Sequence, residues 1–317
     1  MGTPWDRAAA RYLEEWVPRF MPYHLDLVRD LSLSQGQRVL VTMAGPGAEM
    51  LAVARAVGDK GKVLATDTSV EMIRICQEQI EKARFDRVMC MQADASDTGN
   101  GDWNAIVCAF GLRHFEDREL LFKSWRSALV GSGKVGVLVW GPSGRGDPFD
   151  LLTSALAEFA PNALEGRARI DPARDSMRRM FEQGGLSLVR HTVIRHTVNF
   201  TSAESFLSAL SEGCTWRKIS EELGAQRMAR IAARFFDQVG GLTVPLTFQP
   251  AATLAIAAIP GASVTIGGRG MTAPQLSQAQ VAEPAPRELN EHDQWVQKIS
   301  RVEPWDDNPP DDGPKKS

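Results

Sequence analysis

A glycine turn followed at a set distance by a carboxylate is the part of this sequence whose residue types and spacing best define a chemistry. Gly45-Pro46-Gly47 closes an apolar run at residues 38–43, and Asp67 comes 20 residues after Gly47. Glycines let the backbone approach a ligand closely, and a carboxylate at the end of the next strand can bind both hydroxyls of a ribose. The spacing therefore predicts a nucleotide pocket.

The kind of nucleotide is indicated by Met50. A dinucleotide fingerprint has glycine or alanine at this position, three residues after the second glycine of the turn. A methionine would crowd the helix–strand contact of that fingerprint, and the sequence shows no second mononucleotide half. We therefore expect a ligand with one nucleoside and no pyrophosphate, and S-adenosylmethionine is the leading candidate.

Apolar runs that alternate with helical patterns predict the scaffold that positions these residues. Runs of five to eight apolar residues between helices are typical of a parallel sheet that is buried on both faces. The first predicted helix covers residues 5–30. Predicted strands then cover residues 38–43, 62–66, 87–92, 104–110 and 133–140, and predicted helices cover residues 48–57, 69–83 and 117–130.

The pattern changes after Trp140. A loop at residues 141–148 precedes predicted helices at 149–160, 172–183, 202–211 and 216–238, and predicted strands at 186–198 and 252–259. Two strands joined by a helical insertion predict an antiparallel pair at the edge of the sheet. The insertion would lie over the carboxyl ends of the strands, where ligands bind in open α/β sheets.

Composition narrows the function classes. The chain has 317 residues and a net charge of −3, so no broad basic field favours nucleic acid or an anionic membrane. No apolar stretch approaches membrane-spanning length, and residues 1–10 lack the order of a signal peptide, so we expect a cytoplasmic protein without a membrane span. Residues 263–317 are acidic and rich in proline, and we expect them to form a disordered tail after one domain at residues 1–262.

No metal site is expected. The four cysteines have no metal-type spacing. His191 and His196 lie five apart on a predicted strand and so face opposite sides of it.

Five blocks in this order resemble those of the class I S-adenosylmethionine-dependent methyltransferases. The nearest resemblance is to the small-molecule branch that includes the ubiquinone/menaquinone C-methyltransferases. The blocks read RVLVTMAGPGAE at 38–49, KVLATDTSVEMI at 62–73, MQADASD at 91–97, AFGLRHFEDRELLF at 109–122 and LVGSGKVGVLVW at 129–140. The resemblance implies an α/β fold: a Rossmann-like, mostly parallel seven-stranded sheet with helices on both faces and a helical lid insertion. Lid elements are expected at about 1–30, 141–170 and 200–240.

The resemblance also implies a set of cofactor-binding residues at the ends of the first four strands and on the first helix. They are Ala44, Gly45, Gly47, Asp67, Thr68, Met72, Asp94, Ala95, Phe110, Gly111 and Tyr12. The turn would pass under the methionine and ribose portions of S-adenosylmethionine. Asp67 would bind the ribose hydroxyls with its two acceptor oxygens, and Thr68 and Met72 would flank the adenine.

The remaining residues of the set follow the third and fourth strands or lie on the first helix. Asp94 would accept a hydrogen bond from the adenine amino group, close to the Ala95 amide. Phe110 and Gly111 would line the exit of the fourth strand. Tyr12 resembles the tyrosine that many relatives fold over the cofactor's carboxylate.

Each of these roles has an alternative. Asp67 could instead cap the helix at 69–83, because aspartate is a favourable N-cap residue. Asp97 is a rival for the role of Asp94. Met72 and Tyr12 could be packing residues.

The first strand departs from the family pattern. The family places an acidic residue two positions before its first glycine, but the corresponding positions here hold Val41 and Met43. The carboxylate that helps to orient the ammonium group of the cofactor is therefore missing. Glu49, at the start of the next helix, is a candidate to replace it.

His114 is the candidate catalytic residue. It follows the fourth strand, where the methyl group should emerge, and histidine titrates in the range that a general base needs. Arg113 beside it could bind an anionic acceptor, and Tyr23 and His24 could touch the substrate. For each of these residues an ordinary surface or packing role is the alternative.

Apolar residues of the insertion would form the wall of the substrate site, although core packing is an equally good interpretation for any one of them. They are Phe149, Leu151, Leu152, Phe159, Phe206 and Trp216. Such a wall suits a hydrophobic small molecule.

We therefore expect methyl transfer from S-adenosylmethionine to an oxygen or carbon of a hydrophobic small molecule, in secondary-metabolite or quinone biosynthesis. The alternative is a methyltransferase-like protein that no longer methylates and acts as a rearrangement catalyst or a non-catalytic binding partner. Nucleic-acid methylation is disfavoured because no proline-aromatic tetrad of the amino-methyltransferases is present. A homodimer is compatible with this assignment.

Overall fold

The computed structural model describes residues 3–99, 101–164 and 170–273, without the side chain of Cys214. A seven-stranded sheet forms its centre. The strands of this sheet are β1 (Arg38–Thr42), β2 (Lys62–Asp67), β3 (Val88–Gln92), β4 (Trp103–Ala109), β5 (Leu129–Trp140), β6 (Ser187–Arg195) and β9 (Ala251–Ala258). A two-stranded antiparallel sheet pairs β7 (Val198–Phe200) with β8 (Leu246–Phe248), and a hairpin pairs β10 (Ser263–Ile266) with β11 (Arg269–Thr272).

The strand order in the sheet is β3-β2-β1-β4-β5-β9-β6. Strands β1 to β5 are parallel, whereas β9 runs antiparallel to both β5 and β6. This arrangement confirms the expected Rossmann-like, mostly parallel sheet and the antiparallel pair at its edge. The carboxyl ends of β1, β2, β3 and β4 therefore meet at one edge.

Helices cover both faces of the sheet. They are α1 (Pro4–Arg11), α2 (Val17–Leu31), α3 (Met50–Val57), α4 (Val70–Ala83), α5 (Arg118–Ala128), α6 (Pro148–Phe159), α7 (Arg174–Gln183), α8 (Ala203–Ser211), α9 (Cys214–Leu223) and α10 (Ala225–Val239). A π-helical turn, Tyr12–Trp16, joins α1 to α2, and a 3-10 turn, Leu112–His114, follows β4.

Side-chain alternation along β1 divides the core in two. Val39 and Val41 pack into the cluster on one face of the sheet, and Leu40 packs into the cluster on the other face. All three are fully buried. Successive side chains of a strand point to opposite faces, so a central parallel strand must be apolar at every position.

The first helix is held over the carboxyl edge by Asp6. Its Oδ1 accepts a hydrogen bond from Ser69 Oγ at 2.5 Å and another from the Glu71 amide at 3.2 Å, both at the start of α4. The hydrogen bond from Ser69 is the main cause that lowers the pKa of Asp6. This contact brings Trp5 and Tyr12 above the ends of the strands.

Several predicted boundaries were wrong. The helix expected at 216–238 is broken at Gly224, whose φ of +76° favours glycine, into α9 and α10. The strand expected at 186–198 stops at Arg195. The strand expected at 133–140 begins earlier, at Leu129.

The domain also extends beyond the expected boundary at residue 262. The hairpin β10–β11 packs on the body, where the Gly267 amide donates to Asp30 O at 2.9 Å and Lys134 Nζ donates to Thr265 O at 2.9 Å. Val264 and Ile266 are buried on one face of the hairpin. Strands of four residues are too short to be recognised by periodicity, which is why the sequence missed them. Most of the expected acidic tail, residues 274–317, lies outside the described residues.

Candidate cofactor and active site

A cavity of about 180 Å³ lies at the carboxyl ends of β1 to β4. Its floor consists of residues 43–46, 48–49, 67–68, 93–95 and 109–111, all of which follow one of these strands. Trp5, Tyr12 and His24 reach it from the N-terminal helices, and Met72, His114 and Phe115 complete the wall. The crevice is therefore open where a nucleoside is expected.

Asp67, the last residue of β2, is hydrogen-bonded to the glycine turn that follows β1. Its Oδ2 accepts a hydrogen bond from the Gly45 amide at 2.9 Å, and its Oδ1 accepts one from the Ser69 amide at 2.9 Å. Burial raises the pKa of Asp67, although these amide hydrogen bonds act in the opposite direction. Each carboxylate oxygen keeps a second lone pair, so the pair can still bind a vicinal diol. The N-cap of α4 is Ser69 and not Asp67.

The two glycines of the turn lie in different surroundings. Gly45 lies on the cavity, with a φ of +54°. Gly47, which was expected on the cofactor, is not a lining residue. A Cβ on Gly47 would lie 2.8 Å from Met50 Cε and 3.0 Å from Cys76 Sγ. Its missing side chain, together with a φ of +87°, lets the turn pack against its neighbours.

The structure separates Asp94 from its rival Asp97. Asp94 lies on the cavity and accepts a hydrogen bond from the Ser96 amide at 2.9 Å. Asp97 lies off the cavity and accepts one from the Gly99 amide at 3.1 Å. Thr68, Met72 and Ala95 also line the cavity, as the sequence predicted.

Trp5, Tyr12 and His114 form an aromatic cluster on the cavity wall. Trp5 packs edge-on against Tyr12 at a centroid distance of 5.9 Å and against His114 at 5.3 Å. Burial raises the pKa of Tyr12, and the charges of Glu49 and Asp67 raise it further. Its hydroxyl therefore stays protonated and can donate a hydrogen bond. Sequence reasoning missed the role of Trp5, although it lies on the same helical stripe as Tyr12.

His114 lies on the cavity with a neutral imidazole at physiological pH. Burial, with a smaller contribution from the charge of Arg113, lowers its pKa to about 4. The ring can accept a hydrogen bond but binds a proton weakly. Arg113, which was expected at the substrate, is not a lining residue. Its guanidinium Nη2 lies 3.4 Å from Thr215 Oγ1 on α9.

Phe110 marks the exit of β4. It adopts a φ of +61° and stacks on Trp140 at a centroid distance of 3.9 Å and an interplanar angle of 9°. Tyr23, which was expected at the substrate, lies in the core beside this pair. It is fully buried, and its hydroxyl donates to Pro250 O at 2.6 Å and accepts from the His196 amide at 3.0 Å. With both functions satisfied, Tyr23 holds the aromatic wall in place and does not reach the cavity.

Met43 stands two residues before Gly45, where the family has an acid. Met43 adopts a φ of +52°, a region that favours glycine, and its side chain fills the space that Gly111 leaves open. A Cβ on Gly111 would lie 2.5 Å from Met43 Cβ. The Met43 side chain is therefore accommodated by Gly111, and the cavity remains open. Glu49 and His24 both lie on the cavity and are buried, with 3.1 Å between Glu49 Oε2 and His24 Nδ1.

The expected lid residues pack mainly with one another. Phe149 contacts Phe206 edge-on at 5.2 Å, and Phe206 contacts Phe235 at 5.6 Å. None of the six predicted residues lines the cavity described above. Leu152 and Trp216 instead line a second, mostly apolar cavity of about 410 Å³ among α6, α8, α9 and α10.

Comparisons with known proteins agree with this geometry. A family profile described as a methyltransferase domain matches residues 39–133. The ubiquinone/menaquinone biosynthesis C-methyltransferase UbiE of Burkholderia vietnamiensis is 26% identical over 179 residues, which cover 52% of this chain and 73% of the relative. The UbiE protein of Ralstonia nicotianae is 25% identical over 179 residues, with the same coverage.

Solved structures share the fold. The YcgJ protein of Bacillus subtilis has a TM-score of 0.50 at 16% identity and covers 75% of this chain and 98% of its own. A cyclopropane-fatty-acyl-phospholipid synthase-like protein of Lactobacillus casei has a TM-score of 0.52 at 16% identity and covers 76% of this chain and 92% of its own. None of the helices in the described ranges combines the length and apolar character that a bilayer-crossing segment requires.

Proposed function

We propose that this chain, a class I S-adenosylmethionine-dependent methyltransferase, methylates an oxygen or carbon of a hydrophobic small molecule in quinone or secondary-metabolite biosynthesis. One observation carries the proposal. Asp67, Asp94, Phe110, Gly111 and His114 all line a single cavity. A nucleoside bound by the two carboxylates would share this cavity with an acceptor that reaches Phe110 and His114.

The residues present fit the cofactor. Asp67 offers two oxygens to the ribose, and Asp94 offers an acceptor to the adenine amino group. Gly45 lines the cavity without a side chain that could enter it, and its φ of +54° favours glycine. Tyr12 supplies a neutral donor for the carboxylate of the methionine portion.

S-adenosylmethionine supplies an electrophilic methyl group on a positively charged sulfur. The protein's contribution is to orient the two reactants and to exclude water. Phe110 and Trp140 form a rigid apolar wall at the exit of β4. We propose that His114 accepts a hydrogen bond from the acceptor group and aligns its lone pair.

The charge of the cavity supports an acceptor that is not an anion. Asp67, Asp94 and Glu49 lie on the cavity, and no lysine or arginine does so within the described part of the chain. Anionic acceptors would be repelled, whereas Trp5, Phe110 and Phe115 offer apolar contact. The quinone assignment rests on the UbiE relatives.

The experiment has two parts. Calorimetry with S-adenosylmethionine tests the cofactor, and mass-spectrometric detection of methylated product tests transfer to a panel of quinols and phenols. We expect His114→Gln to lower turnover and leave cofactor affinity unchanged. His191→Gln is the matched control, because His191 Nε2 contacts Pro172 O at 2.8 Å and lies off the cavity.

Each outcome of this experiment supports or contradicts the proposed function. Binding with transfer supports the methyltransferase. Tight binding without transfer to any acceptor would favour the protein that no longer methylates. Absence of binding would contradict the proposal.

A further inference from the structure

Glu49 is a buried acid with one carboxylate oxygen that no protein group contacts by a hydrogen bond in the described part of the chain. It is 1% exposed, lies on the cavity at the start of α3, and its Oε1 accepts no hydrogen bond within the described part of the chain. An unpaired buried carboxylate oxygen is costly, so proteins seldom keep one without a reason.

His24 satisfies Glu49 incompletely. His24 Nδ1 lies 3.1 Å from Glu49 Oε2, yet Nδ1 has no hydrogen-bond partner among the described residues. The carboxylate can thus still accept a donor from a ligand in the cavity.

The charge of Glu49 acts on several groups around the cavity. It contributes to raising the pKa of Tyr12, of Cys108 and of Asp67, in each case after the larger effect of burial. No lysine or arginine among the lining residues opposes it. A cationic ligand group at this place would therefore be stabilised.

Glu49 lines the same cavity as Asp67 and Phe110. It follows the turn whose Gly45 amide donates to Asp67, and its partner His24 packs edge-on against Phe110 at 5.6 Å. The methionine portion of the cofactor must cross this region between ribose and exit.

We propose that Glu49 binds the ammonium group of the cofactor's methionine portion and replaces the acid that is missing from the positions of Val41 and Met43. This inference rests on the proposed use of S-adenosylmethionine. An ammonium group has three donors and one positive charge, which matches an unpartnered carboxylate. His24 holds the carboxylate in position from the other side.

Three ligands test the assignment by calorimetry. S-adenosylmethionine and S-adenosylhomocysteine both carry the ammonium group, and only the first carries the sulfonium. 5′-Methylthioadenosine has neither. For Glu49→Gln we expect the affinities of the first two ligands to fall about 10- to 100-fold, because a hydrogen bond between charged groups is lost. The affinity for 5′-methylthioadenosine should stay within about twofold of its original value, which also shows that the variant is folded.

Asp67→Asn is the matched control. It should weaken all three ligands, because each carries the ribose. Four outcomes for Glu49→Gln would overturn the inference: unchanged binding of all three ligands, equal weakening of all three, tighter binding, or weakening of S-adenosylmethionine alone, which would assign the sulfonium to Glu49. Failure of the unaltered protein to bind any of the three would overturn the proposed function as well.

Discussion

Lys134 and Glu49 are both buried ionisable side chains, but the protein provides them with different hydrogen-bond partners. Lys134, which pairs with Ala105 near the amino end of β4, is 4% exposed, and its Nζ donates to Thr265 O at 2.9 Å and to Ser32 O at 3.4 Å. Glu49, at the carboxyl edge, has an oxygen with no donor. The amino edge uses its buried charge to tie α2 and the hairpin β10–β11 to the sheet. The carboxyl edge leaves a polar group open for a ligand to complete.

The largest expected effect tests the structural charge. Burial lowers the pKa of Lys134 to about 8, below the ordinary 10.5 of an unfolded chain. Between these pH values the unfolded state binds more protons, so the contribution of Lys134 to stability rises with pH. Relative to Lys134→Met, the unaltered protein should gain about 3 kcal/mol of unfolding free energy from pH 8 to 10.5. Urea denaturation at several pH values measures this, with exposed Lys60→Met as control. A constant difference would show that Lys134 is not a buried charge.

The next largest effect tests whether Asp67 binds the cofactor. Asp67→Asn keeps the shape but removes one acceptor and the charge, so S-adenosylmethionine should bind about 10- to 100-fold more weakly. Asp97→Asn is the control, since Asp97 lies off the cavity. Titration calorimetry measures both. Equal affinities for the two variants would remove Asp67 from the site.

A smaller effect concerns His114. With a pKa of about 4, its ring is neutral at pH 6.5, where an ordinary histidine is half protonated. We expect kcat/KM to hold from pH 8 to about 5.5 and to fall only as the pH approaches 4. His114→Gln should lower the plateau about tenfold and lose that dependence. A fall centred near pH 6.5 would contradict the buried, neutral ring.

The smallest expected effect is the change in stability caused by Glu49→Leu, which we compare with the effect at Lys134. Glu49→Leu removes a buried carboxylate whose one ion-pair partner is His24, and replacing buried ionic groups by apolar residues is often neutral or stabilising. Without cofactor, the unfolding free energy should be unchanged or about 1 kcal/mol higher. The rise in melting temperature on adding S-adenosylmethionine should shrink. A large loss of stability without cofactor would mean that Glu49 serves the fold itself.

Local signals predicted the residues that directly follow a strand. The spacing from the glycine turn to Asp67 identified two neighbouring strand ends, and the third strand identified Asp94. Tyr23 and Gly47, which were predicted to bind substrate and cofactor, do not line the cavity. Whether a residue faces the cavity or its neighbours depends on partners elsewhere in the chain, such as Pro250 for Tyr23 and Cys76 for Gly47.

The predicted lid residues show the same limit of prediction from sequence. The apolar pattern of Phe149 and Phe206 correctly indicated buried helices, but hydrophobicity does not distinguish a wall that faces a ligand from one that faces another helix. Their edge-on contact at 5.2 Å places these rings in a core.

What the sequence determined by itself was which residues could meet at one edge, because the carboxyl ends of parallel strands necessarily lie together. What only the tertiary structure decided was how the edge is completed. The docking of α1 and α2 brings Trp5, Tyr12 and His24 over the cavity through contacts between residues far apart in the chain. The open oxygen of Glu49 likewise depends on which groups packing brings near it and which it keeps away.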